Sequence, residues 1–330
     1  MDTRKVGPFE VSCIGLGCMS LSWAYGEPPS REQAEAVLKG SLDAGYTFLD
    51  TAALYGLGHN EKLIGEVLAD RRGDYVLASK CGVSNNGHRE LNGRPEVLKR
   101  TCEESLTNLR MEVIDLYYLH RWDRRVPIEE SVGALAELVR EGKIRSIGLS
   151  EVSAQTLRRA HAVHPIAAMQ TEYSPWTRNP EIAVLDACRE LGTAFVAFSP
   201  VGRGFLAGGV EDVAALPDND IRRTMPRFQG EALAANLKLL ERFKALAAEA
   251  GCTPAQLCLA WLLQKDPIIV PIPGTSRPDH MVENAEAAEV TLSGEIVARL
   301  EALVNERTVA GHRYSEQMRV PIDTEEPELA

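Results

Sequence analysis

Short, nearly continuous apolar runs alternate along this chain with longer stretches in which apolar residues recur every three or four positions. The runs are Ser12–Met19, Tyr46–Asp50, Tyr75–Lys80, Ile114–His120, Ser146–Ser150, Ile166–Glu172, Ala194–Pro200 and Ile268–Pro273. A short run without polar alternation is the pattern of a parallel strand buried on both faces. The intervening stretches carry helix signals. Ser30 with Gln33 forms a capping-box pattern ahead of Ala34, Val37, Leu38, Ser41 and Leu42, and Gly45 follows where a helix ends. Asn60 precedes Leu63, Ile64, Val67 and Leu68, and Ile128 to Arg140 groups Val132, Leu135 and Val139 before Gly142. Thr253-Pro254 reads as an N-cap with proline at the first helical position, and Ser293 caps a last helix carrying Ile296, Leu300 and Val304.

Eight such runs alternating with helices predict a closed (β/α)8 TIM barrel, one α/β domain over residues 1–330, rather than an open sheet. Val6–Val11, with its Gly7-Pro8 turn, is expected to form a short hairpin outside the barrel. The longest break, Gly202–Gly230 after the seventh run, reads as a loop insertion, and loops of that length are commonly functional.

Composition narrows the classes of function. The net charge of -11 argues against a nucleic-acid or anionic-membrane binder, since both need a basic surface. Seven cysteines without a CxxC pair match neither a disulfide framework nor a zinc ribbon, and no metal site is expected. No apolar leader follows Met1, and no apolar run approaches a membrane span. The expectation is a cytoplasmic protein acting on a small molecule, with an oligomeric state the sequence does not define.

The polar residues fall where a barrel builds its active site. Asp50, Lys80, His120 and Ser150 end runs two to five, and Gln170 and Ser199 lie near the ends of the next two. Strand C-terminal ends surround one mouth of a barrel, so these side chains are expected to converge on one cavity. Taken singly, Asp50 reads equally as a helix cap, Lys80 as a solvated strand end and His120 as a core histidine. Four ionisable groups at successive strand ends, with Tyr55 one short loop away, favour chemistry.

The segments around these positions carry a resemblance. Phe48-Leu49-Asp50-Thr51-Ala52-Ala53-Leu54-Tyr55-Gly56 with Asn60-Glu61, Ala78-Ser79-Lys80 and Asp115-Leu116-Tyr117-Tyr118-Leu119-His120 resemble motifs of the aldo-keto reductases. The similarity continues through Ile147-Gly148-Leu149-Ser150-Glu151, Gln170-Thr171-Glu172-Tyr173-Ser174, Phe198 to Gly204 and Ile272 to Pro278, then Glu283-Asn284. It covers essentially the whole chain and points to the branch near the potassium-channel beta subunits.

The resemblance implies NADPH-dependent reduction of aldehydes or ketones, with Tyr55 as general acid assisted by Lys80, Asp50 and His120. The chemistry agrees. Hydride addition leaves an alkoxide that needs a proton, and a phenol has an ordinary pKa near ~10. An ammonium at Lys80 is expected to bring that pKa down, Asp50 to hold the ammonium, and His120 to orient the carbonyl oxygen. No Gly-x-Gly-x-x-Gly follows a strand, because Gly15-Leu16-Gly17-Cys18 fails at Ser20, so a Rossmann nucleotide site is not supported.

The resemblance instead implies NADPH/NADP+ laid across the barrel mouth. Gly17, Cys18 and Met19 lie at the first strand's end beside Asp50, and Ser150, Glu151 and Gln170 fall where the nicotinamide carboxamide is held. Phe198 stacks on the ring. Ser199, Pro200, Gly202, Arg203, Gly204 and Phe205 follow the pyrophosphate, with the long loop as a clasp. Gly274, Thr275, Ser276, Arg277, His280, Glu283 and Asn284 take the adenosine end, with Arg277 on the 2′-phosphate. Glu151 stands where many members have asparagine, and Phe198 where many have tyrosine.

Trp23, Tyr25, Trp122 and Trp176 follow strand runs and are candidates for an apolar substrate pocket, with loop packing as the other reading. Arg121 and Arg227 are cations available to an anionic substrate. Two other functions share parts of this pattern. One is a cofactor-sensing binding partner of the channel beta-subunit type. The other is a barrel lyase with Lys80 as Schiff-base nucleophile.

Overall fold

The computed structural model describes residues 1–85 and 89–327. The chain opens with an antiparallel hairpin, β1 (Thr3–Val6) and β2 (Phe9–Ser12). The strands β3 (Leu16–Gly17), β4 (Phe48–Asp50) and β5 (Val76–Cys81) follow, and a second small hairpin pairs β6 (Val83–Asn85) with β7 (Arg89–Leu91). Next come β8 (Ile114–Leu119), β9 (Ile144–Ser150), β10 (Ile166–Glu172), β11 (Ala194–Phe198) and β12 (Ile269–Ile272).

The parallel strands lie in the order β12-β11-β10-β9-β8-β5-β4-β3. The ends meet where Gly15 N–H donates to the Pro271 carbonyl at 2.9 Å and Gly17 N–H to that of Pro273 at 3.1 Å. This closes the expected TIM barrel. Gly17 is needed at the seam, because a Cβ there would lie 2.8 Å from the Ile272 carbonyl oxygen.

The helices are α1 (Arg31–Asp43), α2 (His59–Val67), α3 (Pro95–Leu109), α4 (Ile128–Arg140), α5 (Ala154–Val163) and α6 (Val184–Leu191). They continue with α7 (Gly230–Glu249), α8 (Pro254–Lys265), α9 (Pro278–Glu286), α10 (Gly294–Leu303) and α11 (Glu316–Arg319). Thr253 and Gln256 form a reciprocal capping box at α8. At α1 the box is half-made, since Ser30 accepts from Gln33 N–H while the Gln33 side chain donates to the Ser276 carbonyl. Asn60 lies inside α2, not at its cap, and its buried amide donates to the Cys18 carbonyl and Ser22 Oγ. Among the described residues no single helix is long and apolar enough to cross a membrane.

Two apolar layers result. One lies between strands and helices. The other fills the barrel interior with Phe48, Ala78, Leu116, Tyr118, Ala168, Val196 and Val270, and is floored by Val6 and Val11 of the hairpin. The hairpin therefore plugs the bottom of the barrel, and the open end is the mouth at the strand C-termini. The loop over Gly202–Gly230 folds into short 3-10 turns that bury Phe205, Met225 and Phe228.

Candidate active site

Strand alternation delivers the polar residues to one place. Side chains two apart share a face, so the interior positions Phe48, Ala78 and Tyr118 are followed toward the mouth by Asp50, Lys80 and His120. Ala168 is followed likewise by Gln170. Gly148 precedes Ser150 because a Cβ there would stand 2.3 Å from the Tyr118 ring.

Lys80 is the hub. Its ammonium donates to Asp50 Oδ1 at 2.5 Å, the Thr51 carbonyl at 2.7 Å and Tyr55 Oη at 3.3 Å. Gln170 Nε2 donates to the second Asp50 oxygen at 2.7 Å, so both oxygens of that carboxylate accept. The His120 ring stands edge-on to Tyr55, with centroids 5.9 Å apart. Burial acts to lower the Lys80 pKa, but Asp50 and Tyr55 outweigh it and hold the ammonium above its usual value. The three N–H groups of the ammonium are all directed at oxygen acceptors, so a Schiff-base role for Lys80 would first require those contacts to break.

Tyr55 departs from the expectation for its pKa. Burial pushes the phenol up, Lys80 pulls it down, and burial wins. Burial likewise raises Asp50 against the pull of Lys80 and Gln170. Tyr55 therefore retains its proton through neutral pH. Lys80 offsets part of the burial effect on Tyr55 without bringing the phenol below its ordinary value.

A cavity of about 430 Å³ opens over this cluster. Gly17, Met19, Asp50, Tyr55, His120, Gln170, Phe198, Ser199, Pro200, Arg203 and Gly204 line it, as do Gly274, Thr275, Ser276, Arg277, His280, Glu283 and Asn284. Trp23 and Tyr25 line it too, and Trp23 stacks against Tyr55 at 6.5 Å between centroids. Arg121, Arg222, Tyr314 and Met318 contribute to the wall as well. The last two come from a C-terminal segment with no strong periodic signal.

Other expected residues lie elsewhere. Trp122 turns outward, its indole N–H on the Val126 carbonyl and Arg159 over its ring. Trp176 is buried by stacking on Phe205 at 4.5 Å, which removes both rings from the cavity lining. Arg227 holds that packing, donating to the Trp176 carbonyl and Thr177 Oγ1. Cys18 and Gly202 do not line the cavity, and Ser150 is covered by Arg121, which donates to its Oγ.

Glu151 is the clearest correction. Its carboxylate takes a two-point ion pair from Arg313, at 2.9 and 2.6 Å, and accepts from Glu172 N–H at 3.0 Å. It is thus committed away from any carboxamide. Glu172 in turn pairs with Arg203 at 2.6 Å, and Arg203 also donates to Tyr314 Oη at 2.8 Å. This buried network ties the C-terminal segment to β9, β10 and the loop after β11. Glu151, Ser199 and Arg203 have φ of 56°, 50° and 58°, left-handed conformations that non-glycine residues seldom adopt and that gather here at the mouth.

Burial raises the Glu151 pKa, but Arg313 more than offsets it and holds the carboxyl below its usual range. A depressed native pKa contributes stability above the unfolded value of ~4.3 that is lost as pH falls through the native one. Arg313→Met leaves Glu151 buried without its counterion and is expected to cost about 3–5 kcal/mol, read from urea unfolding at neutral pH. Arg313→Met combined with Glu151→Gln is expected to recover most of that loss.

At the mouth of this closed barrel a buried Lys–Asp pair stands against a tyrosine hydroxyl, and similarity to known proteins puts the chain among the carbonyl-reducing oxidoreductases. The chain belongs to the aldo/keto reductase family, whose model matches residues 13–305. It is 45% identical to a probable aldo-keto reductase 1 of Glycine max over 309 residues, 93% of this chain and 89% of that protein. It is 43% identical to the aldo-keto reductase yakc [NADP(+)] of Schizosaccharomyces pombe, over 95% of this chain and 94% of that one. Among solved structures, a glycerol dehydrogenase from Gluconobacter oxydans superimposes with a TM-score of 0.84 at 25% identity, covering 100% and 99% of the two chains. An aldo/keto reductase from Klebsiella pneumoniae in complex with NADP and acetate gives 0.70 at 27% identity, covering 94% and 99%. The potassium-channel beta-subunit branch is not singled out by these similarities.

Proposed function

We propose that this protein reduces aldehydes or ketones to alcohols with hydride from NADPH, with Tyr55 as the proton donor. The observation that carries the reading is the buried Lys80 ammonium, held 2.5 Å from Asp50 and 3.3 Å from the Tyr55 hydroxyl at the cavity. NADPH supplies the hydride when bound. Tyr55 Oη gives its proton to the developing alkoxide, a far stronger base than phenolate. Lys80 stabilises the resulting negative charge, and Asp50 with Gln170 keeps Lys80 in place. His120 orients the carbonyl oxygen beside Tyr55. Trp23 and Tyr25 give the substrate an apolar wall.

The residues present fit the cofactor. One cavity is lined by Tyr55, Phe198 and Ser199 and also by Thr275, Arg277 and Asn284, the residues expected along the cofactor from nicotinamide to adenosine. Arg277 occupies the N-cap of α9, where free backbone N–H groups and the helix dipole favour a phosphate. Its guanidinium is exposed and pairs with Asp279 at 2.5 Å. An exposed pair of that kind is weak enough to exchange for a 2′-phosphate. Arg277→Ala is expected to weaken NADPH about tenfold or more while changing NADH little. Equal losses for both, measured by fluorescence titration, count against the assignment.

The test of the whole reading is loss of NADPH absorbance with a panel of aldehydes, ketones and quinones. Turnover of at least one carbonyl class supports it. Tight cofactor binding without turnover of any favours a cofactor-sensing binding protein.

A further inference from the structure

We propose that Arg121 is an anion-recognition residue that selects carbonyl substrates bearing a carboxylate, an inference that rests on the carbonyl-reducing reading above. Arg121 directly follows His120 at the mouth, lines the cavity and is only 7% exposed. Its Nη1 donates to the His120 carbonyl at 2.6 Å and to Ser150 Oγ at 2.9 Å, both neutral acceptors. Its buried Nε has no hydrogen-bond partner among the described residues. Among the described residues no carboxylate comes within ion-pair distance of it.

The other arginines of the cavity wall differ. Arg203 pairs with Glu172, Arg222 with Asp220 and Arg277 with Asp279. Glu151 acts on Arg121 through space, but its carboxylate is turned to Arg313. A buried cation without a counterion is costly, and two neutral acceptors do not neutralise it. Arg121 thus puts a fixed positive charge on the cavity wall beside His120, with Nη1 as the guanidinium nitrogen committed to protein acceptors. Its charge also reaches Tyr55, where it pulls the phenol pKa down.

A planar guanidinium edge matches a carboxylate, which it can grip at two points, better than any neutral group. The substrate class is therefore an aldehyde or ketone with a carboxylate a few bonds from the carbonyl.

The test compares 2- and 4-carboxybenzaldehyde with their methyl esters in the NADPH-loaded enzyme. The wild type is expected to favour at least one acid over its ester by about tenfold or more in kcat/KM. Arg121→Met is expected to cut that acid-to-ester ratio by about 10- to 100-fold, mainly through KM, and Arg121→Lys to fall between them. Benzoate binding to the NADP+ complex, followed through Trp23 fluorescence, is expected in the wild type and lost in Arg121→Met.

A wild type that reduces the esters without preferring either acid overturns the proposal and leaves carbonyl reduction standing. Equal losses for acid and ester in both variants also overturn it, and make Arg121 a support for His120. If no aldehyde is turned over but benzoate binds through Arg121, the anion site holds and the reductase reading falls.

Discussion

Tyr55→Phe is expected to lower turnover of a good aldehyde substrate by about 10²- to 10⁴-fold, the range of a positioned general acid. NADPH affinity should change little, because the lost atom is the one hydrogen-bonded to Lys80 at 3.3 Å and Tyr55 is not among the residues expected at the adenosine end of the cavity. Phenylalanine keeps the edge contact with His120 and the stacking with Trp23, so folding is expected to persist. The pH profile carries the second signature. Burial lifts the Tyr55 pKa above its ordinary ~10, so the donor is fully protonated through neutral pH and is lost only as pH rises past that value. Reduction by the wild type should therefore show no loss from Tyr55 below pH ~10. A residual rate in Tyr55→Phe equal to that of the wild type would remove Tyr55 from the acid role.

Lys80→Met has the other large effect, on activity and stability together. Removing the ammonium leaves the Asp50 carboxylate buried, with Gln170 as its remaining side-chain donor. Breaking one side of such a pair costs about 3–5 kcal/mol, and burial already raises the Asp50 pKa, so the variant is expected to take up a proton there. Pairing Lys80→Met with Asp50→Asn should restore most of the stability, read from urea midpoints, without restoring turnover. In the proposed mechanism Lys80 and Tyr55 act as a unit, so the double variant with Tyr55→Phe should be little slower than either alone. Losses that multiply would mean the two residues contribute independently.

Much of this site was legible because strand residues alternate. Once Tyr46–Asp50, Tyr75–Lys80 and Ile114–His120 are read as parallel strands, their last polar residues must face one mouth. What escaped was set by contacts distant in sequence. Glu151 meets Arg313 across 162 residues, and no local spacing signals a partner that far away. Trp122 and Trp176 follow strands as expected, but that places them at the correct end of the barrel without fixing which way the rings turn. The sign of the Tyr55 shift also needed the structure. The lysine was visible in the sequence, whereas the completeness of burial that outweighs it was not.

The central claim is that a hydride passes from NADPH to a carbonyl carbon while Tyr55 supplies the proton. The most direct measurement incubates the enzyme with an aldehyde and NADPH carrying deuterium at the transferred position, then weighs the alcohol by mass spectrometry. The account predicts one deuterium on the carbinol carbon with the wild type and almost no labelled alcohol with Tyr55→Phe. Cofactor bound at the mouth with no deuterium reaching any of a broad panel of aldehydes and ketones would contradict it.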